Sequence, residues 1–272
     1  MSNSKRRDIP HYTTPLIETH CHLDYLDQEQ LTQTLVRSRE VGIERIVTIA
    51  VSAANLDRVF ALTRFADDIW GTQGIHPHEA ECYDSAVAET IRERGTDPRI
   101  VAVGEIGLDY FYDHADRAVQ RRVFAEQLAL AVELDLPVVI HTREADDDTR
   151  AILAEFAPNL ARKGVIHSFT SSLELAEFCL DRGFMLGFNG ITTFNRADNV
   201  RAAVALTPLD QLVLETDSPY LTPVPYRGRP NAPFYLPFVA ERVAEVKQLP
   251  VEDLLAAAHR NSLALFFADE PG

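Results

Sequence analysis

Cysteine is scarce in this chain of 272 residues: three in all, Cys21, Cys82 and Cys179, far apart and odd in number. They form no disulfide framework, and a reducing cytoplasm is the expected setting. No apolar run reaches the ~18 residues a membrane span requires, so no membrane role is expected. The polar, basic residues 1–10 are not followed by an apolar stretch, so no secretory leader is read there, and residues 1–12 are expected to be a disordered tail. Positive charge is also in deficit, with 26 Lys and Arg against 41 Asp and Glu and a net charge of −15. Tight binders of nucleic acid that ignore sequence carry a basic face, which this balance argues against. An enzyme that touches a phosphodiester briefly, through bound metal, escapes that objection. There is no linker, internal repeat or low-complexity segment, so residues 13–272 are read as a single domain. Nothing in the sequence marks a stable protein partner.

Against these absences stand eight short runs rich in Val, Ile and Leu, near 16–19, 45–51, 69–74, 100–105, 137–141, 164–167, 184–188 and 212–215. They do not alternate with polar residues, as expected of parallel strands covered on both faces. Segments of helical spacing lie between them, at 28–41, 117–134, 173–180 and 200–206, and a closing helix is read over 252–267. Eight strand–helix units in about 250 residues fit an α/β fold of the (β/α)8 TIM-barrel type. The rival, a doubly wound open sheet, normally carries a glycine-rich phosphate turn after its first strand. Here that strand ends in Glu18-Thr19-His20-Cys21-His22, without glycine.

Metal-type ligands recur where these strands end. His20 and His22 close the first, and a spacing of two on extended chain puts both imidazoles on one side, with Cys21 packing away from them. Glu105 ends the fourth strand, His141 the fifth and His167 the sixth, while Asp217 follows the eighth. A barrel gathers these ends at one mouth, where the active sites of the fold sit. Four His and two carboxylates on one rim suit borderline divalent metals. His76-Pro77-His78 follows the third strand and faces the same mouth, as a contact to substrate or water or as a plain turn. Arg143 either grips a phosphate oxygen or pairs with Glu144 or Asp146. The Tyr226-Arg227-Gly228-Arg229 loop is the basic segment best placed to meet a substrate anion. His114 is read as solvated, His11 and His259 as non-functional, and Glu215 as a bystander charge near Asp217.

Taken together, Glu18-Thr19-His20-Cys21-His22-Leu23-Asp24, Gly74-Ile75-His76-Pro77-His78, Gly104-Glu105-Ile106-Gly107-Leu108-Asp109-Tyr110, Ile140-His141-Thr142-Arg143, His167-Ser168-Phe169-Thr170 and Glu215-Thr216-Asp217-Ser218-Pro219-Tyr220-Leu221 resemble the motifs of the TatD-type deoxyribonucleases. The match extends over Pro223-Val224-Pro225-Tyr226-Arg227-Gly228 and spans residues 16–267. The chain departs from the family pattern at Glu18, where Asp is usual, and at Ser168 and Ser172, where Cys and Gly are common.

The resemblance implies an amidohydrolase-like barrel with two divalent metal ions (Zn, Mg or Mn) on His20, His22, Glu105, His141, His167 and Asp217. In that reading His20 and His22 hold one ion, His141 and His167 the other, and Glu105 bridges them. Asp217 ligates and acts as general base for an attacking water. Arg143 and Arg227 grip phosphate oxygens, with His76 and His78 as further substrate contacts. The expected activity is metal-dependent hydrolysis of phosphodiester bonds in transiently bound DNA. The alternative is hydrolysis of an ester or C–N bond in a small or tRNA-linked substrate.

Overall fold

The apolar runs become the staves of a barrel in the computed structural model, which describes residues 7–268. Strands β1 (Leu16–Cys21), β2 (Ile43–Thr48), β3 (Ile69–Gln73), β4 (Ile100–Asp109), β5 (Val138–Arg143), β6 (Gly164–Ile166), β7 (Met185–Phe188) and β8 (Leu212–Leu214) lie side by side in that order. Every neighbouring pair is parallel. Parallel neighbours need a crossover, and a helix supplies each one. These are α1 (Gln28–Glu40), α2 (Leu56–Leu62), α3 (Ser85–Arg94), α4 (Arg117–Leu134), α5 (Asp146–Phe156), α6 (Leu173–Asp181) and α7 (Asp198–Leu206), with α8 (Leu236–Lys247) and α9 (Val251–Phe266) after β8. The ring closes where Cys21 bridges Ser218, the Asp217 amide donates to the His20 carbonyl (2.9 Å), and Thr19 Oγ1 donates to the Leu214 carbonyl (2.8 Å).

The helices begin where the chain offers caps. Asp27 and Gln30 form a reciprocal capping box on α1, and Asp116 accepts from the Ala118 and Val119 amides at the start of α4. Each such cap satisfies donors that the first turn leaves free. The apolar stripe of α4, including Val123, Phe124, Leu128 and Ala131, is fully buried.

Two apolar layers follow from the period of two along a strand. Ile17, Val47, Val101, Val139, Val165 and Val213 share one cluster, and Phe266 and Phe267 of the closing segment join it. Residues of β1 and β5 meet only across the lumen, so this cluster is the barrel's inner plug. Leu16, Ile46, Val138, Ile140, Ile166, Leu212 and Leu214 belong to a second cluster shared with the helices. The inward parity carries Val139 to His141, Val165 to His167, and Val213 to Glu215 and Asp217.

Of the segment expected to be a disordered tail, residues 1–6 lie outside the described residues. Residues 7–12 have no regular structure, but side-chain contacts hold them to α8. Tyr12 donates its hydroxyl to Glu241 (2.7 Å), Arg7 pairs with the same carboxylate, and Tyr226 donates to the Arg7 carbonyl (2.9 Å). No helix among the described residues is long and apolar enough to cross a membrane.

Candidate metal centre

Above the apolar plug lies a layer of imidazoles and carboxylates. Two irregularities put its first members there. The register of β1 on β2 shifts between Glu18 and Cys21, and that of β4 on β5 shifts between Gly104 and Ile106. A one-residue slip moves side chains to the other face, and a bulge re-aims them. Glu105 sits at the second shift, tied by its amide to the Ala50 carbonyl (2.8 Å), with its carboxylate in the mouth.

Glu105 is the hub. Its Oε1 lies 2.9 Å from His167 Nε2, 3.1 Å from His141 Nδ1 and 3.6 Å from His76 Nε2, and its Oε2 lies 3.4 Å from His20 Nε2. Asp217 Oδ1 stands 3.4 Å from His22 Nε2 and 3.6 Å from His20 Nε2. The His20 and His167 rings stack with centroids 3.8 Å apart. Three triads have ligand atoms within 4.8 Å of one another: His20–His22–Asp217, His20–Glu105–His167 and His76–Glu105–His141. All six ligands expected from the sequence thus lie in one cluster, which His76 joins. His141 and His167 share no triad, but both reach Glu105.

Electrostatics and hydrogen bonding show that this cluster fits a divalent cation. Burial alone would lower His167, yet the charges of Glu105 and Glu215 outweigh it and hold the imidazole well above the usual histidine range. Burial likewise opposes the charged forms of His22 and Asp217, but their mutual attraction wins, raising the first and lowering the second. Burial would raise the Glu105 carboxyl, but the surrounding histidines hold it well below the usual carboxylate range. The site therefore concentrates negative charge around a demand for positive charge. Both ring nitrogens of His20, and Nδ1 of His22 and His167, are buried without a hydrogen-bond partner. Buried polar groups are rarely left so; His20 Nε2, which faces both Glu105 and Asp217, offers such a lone pair to a metal, while His22 and His167 face the carboxylates through Nε2.

Three carboxylates outside the expected site residues support the ligands. Asp109, fully buried, receives His141 Nε2 (2.9 Å) and His78 Nε2 (3.1 Å) on Oδ2, and the Phe111 and Tyr112 amides on Oδ1. Glu18 Oε1 accepts the His20 and Thr216 amides, and burial pushes its carboxyl up to about 8 despite those bonds. Glu215 Oε1 accepts the Ser168 amide (2.7 Å) and Asn189 Nδ2 (3.2 Å), and lies 3.4 Å from His167 Nδ1. The bystander reading of Glu215 is therefore corrected: its charge faces a candidate ligand. In sequence a supporting carboxylate looks like any strand-end acid, and only the inward parity two residues before Asp217 hinted at its place. Glu215→Gln keeps the acceptor for Ser168 but removes the charge facing His167. A 10- to 100-fold loss in metal affinity or turnover is expected, measured by metal titration calorimetry alongside activity. Wild-type values in both would return Glu215 to a bystander.

The mouth encloses a cavity of ≈ 780 Å³, bounded by His22, Glu105, His141, His167 and Asp217 together with Tyr25, Tyr112, His114, Arg143 and Tyr220. Arg143 lies over the Phe111 ring (4.0 Å) and has no carboxylate partner among the described residues, so the expected alternatives of Glu144 and Asp146 are not met. His78 packs on His114 at 4.5 Å, which brings a histidine read as solvated to the rim. Arg227 lies in a neighbouring cleft, over Phe194 at 3.7 Å. His259 pairs with Glu44 on the outside (2.6 Å), and Cys21 is packed in the core.

A closed parallel barrel with His and carboxylate ligands converging on one mouth defines a metal-dependent hydrolase. A family model described as TatD related DNase matches residues 17–267, and the chain belongs to that family. It is 36% identical to YabD of Bacillus subtilis (strain 168), a metal-dependent hydrolase by name, over 92% of this chain and 98% of that protein. It is 37% identical to the 3'-5' ssDNA/RNA exonuclease TatD of Erwinia amylovora, over 85% of this chain and 91% of that one. The crystal structure of YjjV, a TatD homologue from Escherichia coli K12, superposes with a TM-score of 0.88 at 33% identity, covering 94% and 98% of the two chains.

Proposed function

We propose that this hydrolase cleaves phosphodiester bonds in DNA, with the scissile phosphate seated between the imidazole–carboxylate floor and Arg143. The observation that carries the reading is Arg143 itself. Its guanidinium borders the metal cavity, lies against Phe111 and Tyr112, and pairs with no described carboxylate. In a chain of net charge −15, such a cation at the mouth is suited to a substrate anion. The nuclease name of the Erwinia relative points the same way.

His20, His22 and Asp217 would hold one divalent ion and His141 and His167 the other, with Glu105 between them. Zn suits the imidazoles of this nitrogen–oxygen donor set, while Mg and Mn favour its carboxylates and water. Bound there, the ions would polarise a phosphoryl oxygen and make water acidic enough to ionise near neutral pH. Asp217 is partly exposed to the cavity (side chain 14%) and accepts the water's proton. Glu105 keeps the ligands together, and Arg143 holds a non-bridging oxygen through paired N–H groups. His76 and His78 line the same cavity and orient the substrate.

The test strips the purified protein with a chelator and restores Zn, Mg or Mn separately. Each form then meets a single-stranded DNA, a duplex with defined ends, a generic phosphodiester and an acyl ester. Metal-dependent DNA cleavage, with two ions per chain by elemental analysis, is the expected result. Hydrolysis of the acyl ester with DNA left intact would replace the reading by the ester and C–N alternative.

A further inference from the structure

We propose a second subsite beside the metal centre, built from Arg227, Phe194 and Arg196, that takes the base and phosphate of the nucleotide next to the scissile bond in single-stranded nucleic acid. This rests on the nuclease reading above. A cleft of ≈ 420 Å³ contains these three residues, and its wall includes Thr170 and Ile191, which also line the metal cavity. A strand leaving the metal centre over Thr170 and Ile191 therefore enters this cleft next.

The cleft has the chemistry that such a strand needs. The Arg227 guanidinium covers the Phe194 ring at 3.7 Å, and Arg227 itself is exposed. A planar cation backed by an aromatic ring offers a face on which an unpaired base stacks. Arg196 is exposed in the same cleft. Neither arginine has a carboxylate partner among the described residues, whereas Arg201 nearby is paired with Asp198. Two unneutralised cations in so acidic a chain form a local anion site. A duplex presents no free base face, so the subsite selects single strands.

The surface is held in place. Arg201 Nη1 donates to the Thr192 and Phe194 carbonyls (3.1 and 2.7 Å), which fixes the loop carrying Phe194. The loop carrying Arg227 is tied to it by the Val224 amide on Thr193 Oγ1 (3.0 Å) and closed by Thr222 Oγ1 on the Arg229 carbonyl (2.6 Å).

The test uses the metal-loaded full chain on bis(p-nitrophenyl) phosphate and on single-stranded DNA and RNA oligonucleotides of increasing length. Arg227→Ala is expected to raise KM for oligonucleotides roughly tenfold, the worth of one stacked base. The loss on the small diester should be several times smaller. Arg196→Ala should lower the slope of log KM against log salt by about 0.7, as for one lost single-strand phosphate contact. Arg227→Lys, which keeps charge and fold but has no planar face, should keep the salt slope and not restore KM. Phe194→Leu, which keeps apolar volume, should share the KM defect. The losses should appear on DNA and RNA alike, since a base face and a phosphate carry no sugar information; a loss confined to one sugar overturns the stacking account. Equal losses on the small diester and the oligonucleotides would place Arg227 in the metal centre and overturn the subsite. So would variants matching wild type on an oligonucleotide that wild type cleaves. A wild type that splits the small diester but neither cleaves nor binds any oligonucleotide overturns the nuclease reading, and the subsite with it.

Discussion

Asp217→Asn is expected to give a folded protein that still binds metal, more weakly, and hydrolyses its substrate about 10²–10⁴-fold more slowly. The backbone here does two jobs that Asn preserves. The Asp217 amide closes the barrel onto the His20 carbonyl, and its carbonyl accepts from the Tyr220 amide. Residue 217 also sits in the left-handed region at φ +57, which Asn tolerates as well as Asp. What Asn lacks is the charge facing His20 and His22 and an oxygen basic enough to take a proton. Asp217 is close enough to both histidines to share their ion, and open enough to the cavity to reach a water. Turnover at saturating metal separates the two losses, because weaker ion binding is made up by concentration and a missing base is not. Glu79→Gln serves as the charge control: Glu79 borders the same cavity, is exposed, and should change turnover little. Near-wild-type turnover of Asp217→Asn under saturating metal would make Asp217 a structural cap and move the base to His76 or His78.

The barrel was legible because its strands are buried on both faces, so each appears as an apolar run that needs no knowledge of its partners. Helices were legible where apolar spacing is strong, as in α4, whose bounds Arg117–Leu134 agree with the reading. They were missed where composition hides the spacing. Helix α5 opens on Asp146-Asp147-Asp148, which reads as a solvated loop, and α8 carries Pro237 in its first turn. Ligands on β5 and β6 follow from strict alternation, since His141 and His167 stand two residues beyond the inward Val139 and Val165. On β1 and β4 alternation alone places residues wrongly, because register shifts intervene, and a register shift is a property of two strands together. Asp109 and Glu215 went unassigned for another reason. Each acts through a histidine on another strand, a pairing that sequence distance does not encode. Arg227 was read at the mouth, but the chain's path after β8 carries it one cleft further on.

Gly107→Ala is expected to destabilise the fold by about 3–5 kcal/mol, a large share of the 5–15 kcal/mol that holds a typical protein together. The melting temperature should fall by on the order of 10 °C. Two effects act at once. Gly107 has φ +142, a conformation that side-chain-bearing residues rarely adopt. A Cβ added there would also lie 1.9 Å from the His141 carbonyl oxygen, on the strand with which Gly107 is paired. That oxygen belongs to backbone, so the contact is relieved only by moving β4 from β5, and His141 and Glu105 move with them. Gly228→Ala separates the two effects, since Gly228 has φ +84 but open space where its Cβ would stand. It should cost only the backbone part, about 1–2 kcal/mol. Paired thermal denaturation of the two variants, with and without added metal, provides the comparison. Excess metal should stabilise Gly228→Ala as it does wild type, because ligand binding to the native state adds stability by mass action. For Gly107→Ala the gain should be smaller, because the ligands on β4 and β5 no longer meet in the same place. If the two variants melted alike and gained equally from metal, the approach of Gly107 to His141 would be a soft contact, and the spacing of β4 and β5 would not set the metal centre.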